Sequence, residues 1–409
     1  MEDEKYMRGE EGMRREEGMR REERMRSEEG MRGEEHMEDE EYMRLALELA
    51  ERGRGWTAPN PVVGAVIVKD GRVIGSGWHE RYGMAHAERN ALAACRESPK
   101  GGTMYVTLEP CCHQGRQPPC TDAILEAGIS RVAVGSYDPN PLVAGKGIRQ
   151  LRDHGVEVTD HVLEKECDQA NQVFFHYIQT KQPYVVMKYA MTMDGKIAAY
   201  TGASKWITGR EAREHVQLQR HQYTGIMVGV GTVLADDPLL TCRASDREGL
   251  GRKNPIRIIC DTNLRTPLTA QVVLTAGQAP VIVATCCTDR ERCRLYEEKG
   301  CRILPINERE GKIDLRQLME KLGREQIDSI LLEGGGTLNW AALKAGIVKK
   351  VQAYIAPKIF GGKEARTPVE GAGVPAPGDA FCLENSRIIR LGEDFLIESE
   401  VTSHVYGNC

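Results

Sequence analysis

Residues 107–120 read TLEPCCHQGRQPPC, and residues 86–88, upstream of them, read HAE. His86 and Glu88 fall at a predicted helix start, Cys111 follows a predicted strand over Thr103–Leu108, and Cys120 stands beside a helix predicted from about Thr121. Three soft or borderline ligands on different elements, His86, Cys111 and Cys120, suit a tetrahedral Zn²⁺ that keeps its fourth position for water. An open position indicates catalysis. Helix N-termini favour thiolate over thiol, and such a metal brings the pKa of water down to about 7. Hydrolysis at a ring carbon bearing an exocyclic amine also needs a group that takes a proton from water and gives one to the departing ammonia. Glu88, two residues from a ligand and on a neighbouring helix face, is the candidate. The alternative is a closed site with Cys112 or His113 as fourth ligand. There the adjacent Cys111 and Cys112 would struggle to bind one ion tetrahedrally, and Glu88 would have no role.

Around this stretch the pattern is that of an α/β unit. Val62–Val68 and Val73–Trp78 are strand-like and flank Asp70-Gly71, a strong hairpin signal. Upstream, Tyr42, Leu45, Ala46 and Leu49 follow helical spacing from Glu40, and Gly53 fits the stop. Downstream a strand is predicted over Arg131–Gly135 and a helix over Glu164–Lys181, which Pro183 ends. The domain boundary is therefore expected near residue 182, giving units over 37–182 and 183–409. A chain of 409 residues accommodates two such cores. In the second unit, strands are predicted at Tyr184–Tyr189, Gly225–Val230, Ile256–Cys260, Val281–Thr285, Ile330–Glu333 and Val351–Ile355. Helices are predicted at Glu211–Gln222, Asp314–Leu322 and Leu338–Lys344. Glycine clusters follow two of the strands, at Gly229-Val-Gly231-Thr232 and Gly334-Gly-Gly336-Thr337. Neither fits G-x-G-x-x-G, yet a glycine-rich junction opening a helix can hold a pyrophosphate on backbone N–H groups.

Residues 1–36 are a charged repeat in which Met7, Met13, Met19, Met25, Met31 and Met37 recur every six residues. That period fans the methionines around a helix axis and leaves no buried face. Pairs such as Glu10/Arg14 support a helix while Gly9, Gly12, Gly18, Gly30 and Gly33 oppose it, so a solvated helix or disorder without catalytic part is expected. The repeat's start, Met1–Arg8, nearly copies Met37–Arg44, as a tandem expansion of the first turn would.

No apolar run is long enough for a membrane span, and the charged start lacks the apolar stretch of a secretory signal, so the cytoplasm is the expected compartment. Thirteen cysteines spread over the chain argue for reduced thiols and a metal site. A net charge of -5 weakens any reading as a nucleic-acid binder.

The zinc deaminase signature pairs H-x-E with P-C-x-x-C. Here eight residues separate Cys111 from Cys120. That longer loop, with Asn60-Pro-Val-Val-Gly64 and Asp138-Pro-Asn-Pro141, closely resembles the bifunctional riboflavin-biosynthesis deaminase/reductase family (RibD type). The resemblance continues through Met193-Asp-Gly-Lys196, Ser204-Lys-Trp-Ile-Thr208, Gly231–Pro238, Leu332-Glu-Gly-Gly335 and Ala356-Pro-Lys358. It implies a cytidine-deaminase-like three-layer α/β/α domain followed by a dihydrofolate-reductase-like α/β domain that uses NADPH. In the deaminase pocket it implies substrate contacts from Asn60, His79, His113, Arg116 and Asp138. In the reductase it implies NADPH contacts from Ala190, Trp206, Thr232, Asp236, Thr262 and the stretch Gly335, Gly336, Thr337, Leu338, Asn339, Trp340 and Ala341. Ser204, Arg220, Leu240, Arg243 and Glu333 would bind substrate, the arginines on its phosphate, with Lys188 nearby. The implied chemistry is hydrolytic deamination of a phosphoribosylamino-pyrimidine, then hydride transfer from NADPH that opens the ribosyl group to ribityl, with Asp236 as the proton donor. The expected partners are a small phosphorylated pyrimidine and further copies of the chain, not nucleic acid or membrane. A nucleic-acid base deaminase would need a basic groove and the C-x-x-C spacing, and a deaminase with a non-catalytic second half would leave the reductase motifs unexplained.

Overall fold

The computed structural model describes residues 39–115, 117–244 and 251–402. The charged repeat and Arg116 lie outside them. The first element is helix α1, over residues 39–51. Its buried face is Met43, Ala46 and Ala50, while Leu45, expected on that face, is 42% exposed. The stripe is rotated because the small alanines and the flexible Met43 allow close approach to the sheet, where a leucine would hold the helix off.

Strands β1 (Gly64–Lys69) and β2 (Arg72–Trp78) form the expected hairpin. Asp70 and Gly71 both take positive φ, 49° and 69°, as a two-residue turn matched to strand twist requires. Then follow α2 (Ala87–Ala93), β3 (Thr103–Leu108), α3 (Cys120–Glu126), β4 (Arg131–Ser136), α4 (Lys146–Asp153), β5 (Glu157–Thr159) and α5 (Glu164–Ala170). The sheet order is β2-β1-β3-β4-β5, antiparallel at β1 and parallel from β3 onward. Alternation divides its two faces. Ala65, Ile67, Met104, Val106, Val132 and Val134 pack against α2, α3 and α4. Val66, Val68, Tyr105 and Ala133 pack against α1 and α5. The result is the three-layer α/β/α arrangement.

The single helix expected over Glu164–Lys181 is two, α5 and α6 (Gln172–Thr180). Asn171 breaks it: buried, it bonds the backbone of Val62 twice, Nδ2 to the carbonyl at 3.0 Å and Oδ1 from the N–H at 2.9 Å. Asparagine competes for backbone groups in this way and interrupts helices. The chain also divides here. One compact unit takes the residues up to Gly53 with Val62–Asn171, and the other takes Arg54–Pro61 with Gln172 onward. Helix α6 thus packs with the second unit, ahead of the boundary expected near residue 182, and there Tyr177 Oη donates to the Gly323 carbonyl at 3.0 Å.

The second unit continues with β6 (Tyr184–Thr192), α7 (Arg210–Gln222), β7 (Gly225–Gly229), α8 (Val230–Asp236), β8 (Ile256–Cys260), α9 (Gln271–Leu274), β9 (Val281–Thr285), α10 (Arg290–Glu298) and β10 (Arg302–Pro305). A small hairpin, β11 (Glu308–Arg309) with β12 (Lys312–Ile313), leads to α11 (Leu315–Arg324), β13 (Ser329–Leu332), α12 (Gly336–Lys344), β14 (Val348–Ala356), β15 (Leu383–Leu391) and β16 (Asp394–Val401). These build a nine-stranded sheet in the order β10-β9-β8-β7-β13-β6-β14-β16-β15. It is parallel from β10 through β14 and antiparallel at β16 and β15. One face packs on α11 and α12 through Leu318, Leu322, Ala342 and Leu343, and the other on α8, α9 and α10 through Val233, Val272 and Tyr296. No helix among the described residues is long and apolar enough to cross a membrane.

Candidate active sites

In the first unit the two helix starts and the end of β3 converge. His86 is the N-cap of α2, Cys111 lies just beyond β3, and Cys120 opens α3. The Nδ1 of His86 is 3.5 Å from Cys111 Sγ and 3.4 Å from Cys120 Sγ. All three donor atoms lie within 4.8 Å of one another. The Cys111 carbonyl accepts from the backbone N–H of Cys120 (3.0 Å) and Thr121 (3.2 Å), so the loop closes on itself and fixes both sulfurs. The Cys120 hydrogen bond pulls the Cys111 thiol down to about 4, and the bond from Cys111 pushes Cys120 up. His86 is raised, first by its bond to Cys111. A cluster that attracts positive charge, made of one imidazole and two thiols, fits Zn²⁺. Cys112 and His113 do not enter it.

Glu88, in the first turn of α2, is 3% exposed, and burial raises its pKa. Its side chain is in hydrogen-bonding contact with Cys120. Arg89 on the same helix donates to the carbonyls of Pro118 and Pro119 at 3.2 and 2.9 Å and so ties the Cys111–Cys120 loop down.

Of the expected pocket residues, His79 stands edge-on to the His86 ring at 5.5 Å, with its Nδ1 3.0 Å from the Ala85 carbonyl. Burial, chiefly, lowers its pKa. Asp138 is buried, and that burial, with the charges of Glu109 and Cys111, pushes it up to about 6. His113 is half-buried with a shielded Nδ1 that has no hydrogen-bond partner among the described residues. Asn60 belongs to the Arg54–Pro61 stretch, whose Gly55 and Trp56 pack on His221 of the second unit. Arg116 lies outside the described residues.

In the second unit, both glycine clusters line one cleft of about 460 Å³ at the C-terminal ends of β7, β8 and β13, where parallel α/β sheets place their ligands. Of the residues expected to contact NADPH, Thr232, Thr262, Gly335, Gly336, Thr337, Leu338 and Ala341 line it. Gly335 is the N-cap of α12, so the first N–H groups of that helix are available to a phosphate. A dinucleotide's pyrophosphate fits such a cradle. Arg265, Lys312 and Arg366 also line the cleft. Sequence reasoning missed them, because isolated basic residues far apart in the chain carry no motif.

Other expected cofactor contacts lie elsewhere. Asn339 is fully buried and donates to the Pro368 carbonyl at 2.8 Å. The Trp340 ring packs on Gly371 and edge-on to Phe381. Both lie away from the cleft because helical spacing turns alternate side chains of α12 aside. Ala190 packs beside Tyr354 and Leu396. Trp206 is 65% exposed under the Arg213 guanidinium, which is 4.7 Å from its ring. Asp236 accepts from Ser204 Oγ at 3.0 Å.

Among the expected substrate contacts, Arg220 forks onto Glu333 at 2.7 and 2.9 Å, with Lys188 Nζ 3.7 Å from the same carboxylate. Burial would raise Glu333, but these two cations hold it at about 2. Burial lowers Lys188. The guanidinium of Arg220 is thus already neutralised, which removes the reason for giving it a phosphate. Leu240 is buried in the core beside Val233 and Leu264, so its side chain meets protein. Arg243 is exposed and donates its backbone N–H to Gln217 Oε1 at 2.8 Å.

Comparison with known proteins agrees with the two-unit organisation. Residues 183–397 match the RibD C-terminal domain, and residues 36–136 match the cytidine and deoxycytidylate deaminase zinc-binding region. The chain is 53% identical over 361 residues to the riboflavin biosynthesis protein RibD of Actinobacillus pleuropneumoniae, covering 88% of this chain and 95% of that one. It is 42% identical over 360 residues to RibD of Escherichia coli, covering 86% and 96%. Among solved structures, RibD of Acinetobacter baumannii superposes with a TM-score of 0.80 at 36% identity, over 90% of this chain and 100% of that one. The diaminohydroxyphosphoribosylaminopyrimidine deaminase/5-amino-6-(5-phosphoribosylamino)uracil reductase of Thermotoga maritima gives 0.78 at 36% identity over the same shares.

Proposed function

The chain belongs to the RibD family, and from that premise we propose how its residues divide the work. It is a bifunctional deaminase and reductase of riboflavin biosynthesis, with a zinc-binding deaminase unit and a reductase unit of the NADPH-using type. We carry over from the Thermotoga enzyme its two substrates. The first unit removes the amino group of 2,5-diamino-6-(5-phosphoribosylamino)pyrimidin-4-one by hydrolysis. The second reduces the ribosyl group of the product, 5-amino-6-(5-phosphoribosylamino)uracil, to ribityl.

The observation that carries the deaminase reading is one imidazole and two thiols within 4.8 Å, beside a buried carboxylate. His86, Cys111 and Cys120 hold the metal. When bound, Zn²⁺ supplies the Lewis acidity that makes water a nucleophile near neutral pH. Glu88 takes the proton of the attacking water on its carboxylate oxygen and delivers it to the leaving amine nitrogen. Burial, by raising its pKa, suits it to hold that proton between the two transfers. His79, His113 and Asp138 are assigned to the substrate.

NADPH supplies hydride to the ribosyl carbon. The backbone at Gly335–Thr337, with Thr232 and Thr262, holds the cofactor in the cleft. Ser204 and Arg243 orient the sugar phosphate, the charge-balanced Lys188–Glu333–Arg220 cluster is assigned to the rest of the substrate, and Asp236, held by Ser204, donates the proton the opened ring needs. A homo-oligomeric assembly is supported by β15, the outermost strand of the sheet, where Leu383, Ile388 and Ile389 are exposed. Feeding the diaminopyrimidine phosphate with NADPH while following ammonia and nicotinamide absorbance tests both halves. Ammonia without NADPH consumption would remove the reductase assignment alone, and no ammonia would remove the deaminase assignment.

A further inference from the structure

Glu109 has no place in the chemistry above, although it immediately precedes the Pro110-Cys111 segment. Its carboxylate, 4% exposed, has no basic partner among the described residues. It accepts only backbone N–H groups. Oε1 takes Gly147 at 2.9 Å and Ile148 at 3.3 Å, and Oε2 takes Gly145 at 2.9 Å and Asp138 at 3.4 Å. Asp138 and Gly145 belong to the connection between β4 and α4, and Gly147 and Ile148 to the first turn of α4. The Glu109 N–H in turn donates to the Ser136 carbonyl at 2.9 Å. Gly147 seals the other side: a Cβ there would lie 2.1 Å from the Pro110 carbonyl oxygen, so the start of α4 abuts the peptide that leads into Cys111. One carboxylate therefore fastens the Asp138 segment to the strand end that carries a metal ligand.

We propose that Glu109 is a positioning residue of the deaminase, fixing Asp138 relative to Cys111 so that the pocket is formed before substrate arrives. The proposal rests on the deaminase reading. Capping of α4 alone would make Glu109 a stability residue. Positioning predicts more, because displacing the Asp138 backbone weakens substrate binding without touching the ligands or Glu88. Glutamine keeps the shape but turns an NH₂ toward N–H donors, and lost hydrogen bonds to a charged group of this kind are worth about tenfold or more.

The experiment is a double-mutant cycle of Glu109→Gln and Asp138→Asn in the zinc-loaded full chain, with Glu109→Asp as a second, charge-retaining variant should the glutamine chain not fold. Positioning predicts wild-type zinc content, a KM for the diaminopyrimidine phosphate raised about tenfold with kcat little changed, and unchanged reduction of the aminouracil. It also predicts non-additivity, with Glu109→Gln costing little once Asp138 is asparagine. Additive effects, lost zinc, or a lowered melting temperature with KM unmoved would overturn it. A wild-type chain that releases no ammonia overturns the deaminase reading itself, and this proposal with it.

Discussion

The metal cluster and the cofactor cleft are both assembled from several chain segments, but by different chemical means. The first is made of side chains that few other roles require: an imidazole, two thiols and a carboxylate, within 4.8 Å for the three donors. The second joins two glycine clusters and the start of α12 to side chains from distant segments, among them Thr262, Arg265 and Arg366, around about 460 Å³. Side-chain chemistry of the first kind leaves residue types in the sequence at a readable spacing. The second kind leaves as a local pattern only its glycines, which also serve ordinary turns, while its other lining residues are scattered along the chain.

Removing the metal should separate the two regions most completely. Chelation, or Cys120→Ala, is expected to abolish ammonia release while reduction of supplied aminouracil by NADPH continues. Parallel loss of both activities would mean that the units do not work independently. Next in size, Glu88→Gln should lower deamination by about 10² to 10⁴ through loss of the proton carrier, with zinc content unchanged. Loss of zinc in that variant would make Glu88 part of the ligand set and merge catalytic and metal roles that the geometry keeps apart. In the cleft, Gly336→Ala puts a Cβ 2.7 Å from the Thr367 carbonyl and 2.5 Å from Glu370 Cγ. The overpacking should raise the KM for NADPH about tenfold and spare ammonia release. An unchanged KM would show that the cofactor lies elsewhere.

The same contrast explains what could be read in advance. The β1–β2 hairpin, β3 and the zinc ligands were legible because alternation, Asp70-Gly71 and the His/Cys types are each tied to one local structure. Helix α8 was not, since Gly229-Val-Gly231 reads as loop until tertiary packing of Val233 holds the helix. Strand β15 was not, because all but its last residue are exposed and no alternation arises. Arg220 could be named as a functional residue, yet its neutralisation by Glu333 depends on residues far apart in sequence, which no local spacing reveals. The buried Asn171 that splits α5 from α6 is of the same kind, as its partner is Val62.

That split yields the smallest effect expected here. If α6 belongs to the reductase unit, its tie to α11 contributes to that unit's stability alone. Tyr177→Phe removes the hydrogen bond to the Gly323 carbonyl while leaving the ring in place, at a cost of about 1 kcal/mol. Ligands identify the two unfolding transitions, because each stabilises only the unit that binds it: NADPH should raise the reductase transition and chelator should lower the deaminase one. The variant should lower the NADPH-sensitive transition by a few degrees and leave the chelator-sensitive one in place. A shift of the chelator-sensitive transition instead would return α6 to the deaminase unit and restore the boundary that Pro183 suggests. The sequence favours that later boundary because proline ends a helix wherever the helix packs, whereas the structure favours the earlier one because Tyr177 and Gln172 bond within the second unit, Gln172 to Glu400 at 2.6 Å.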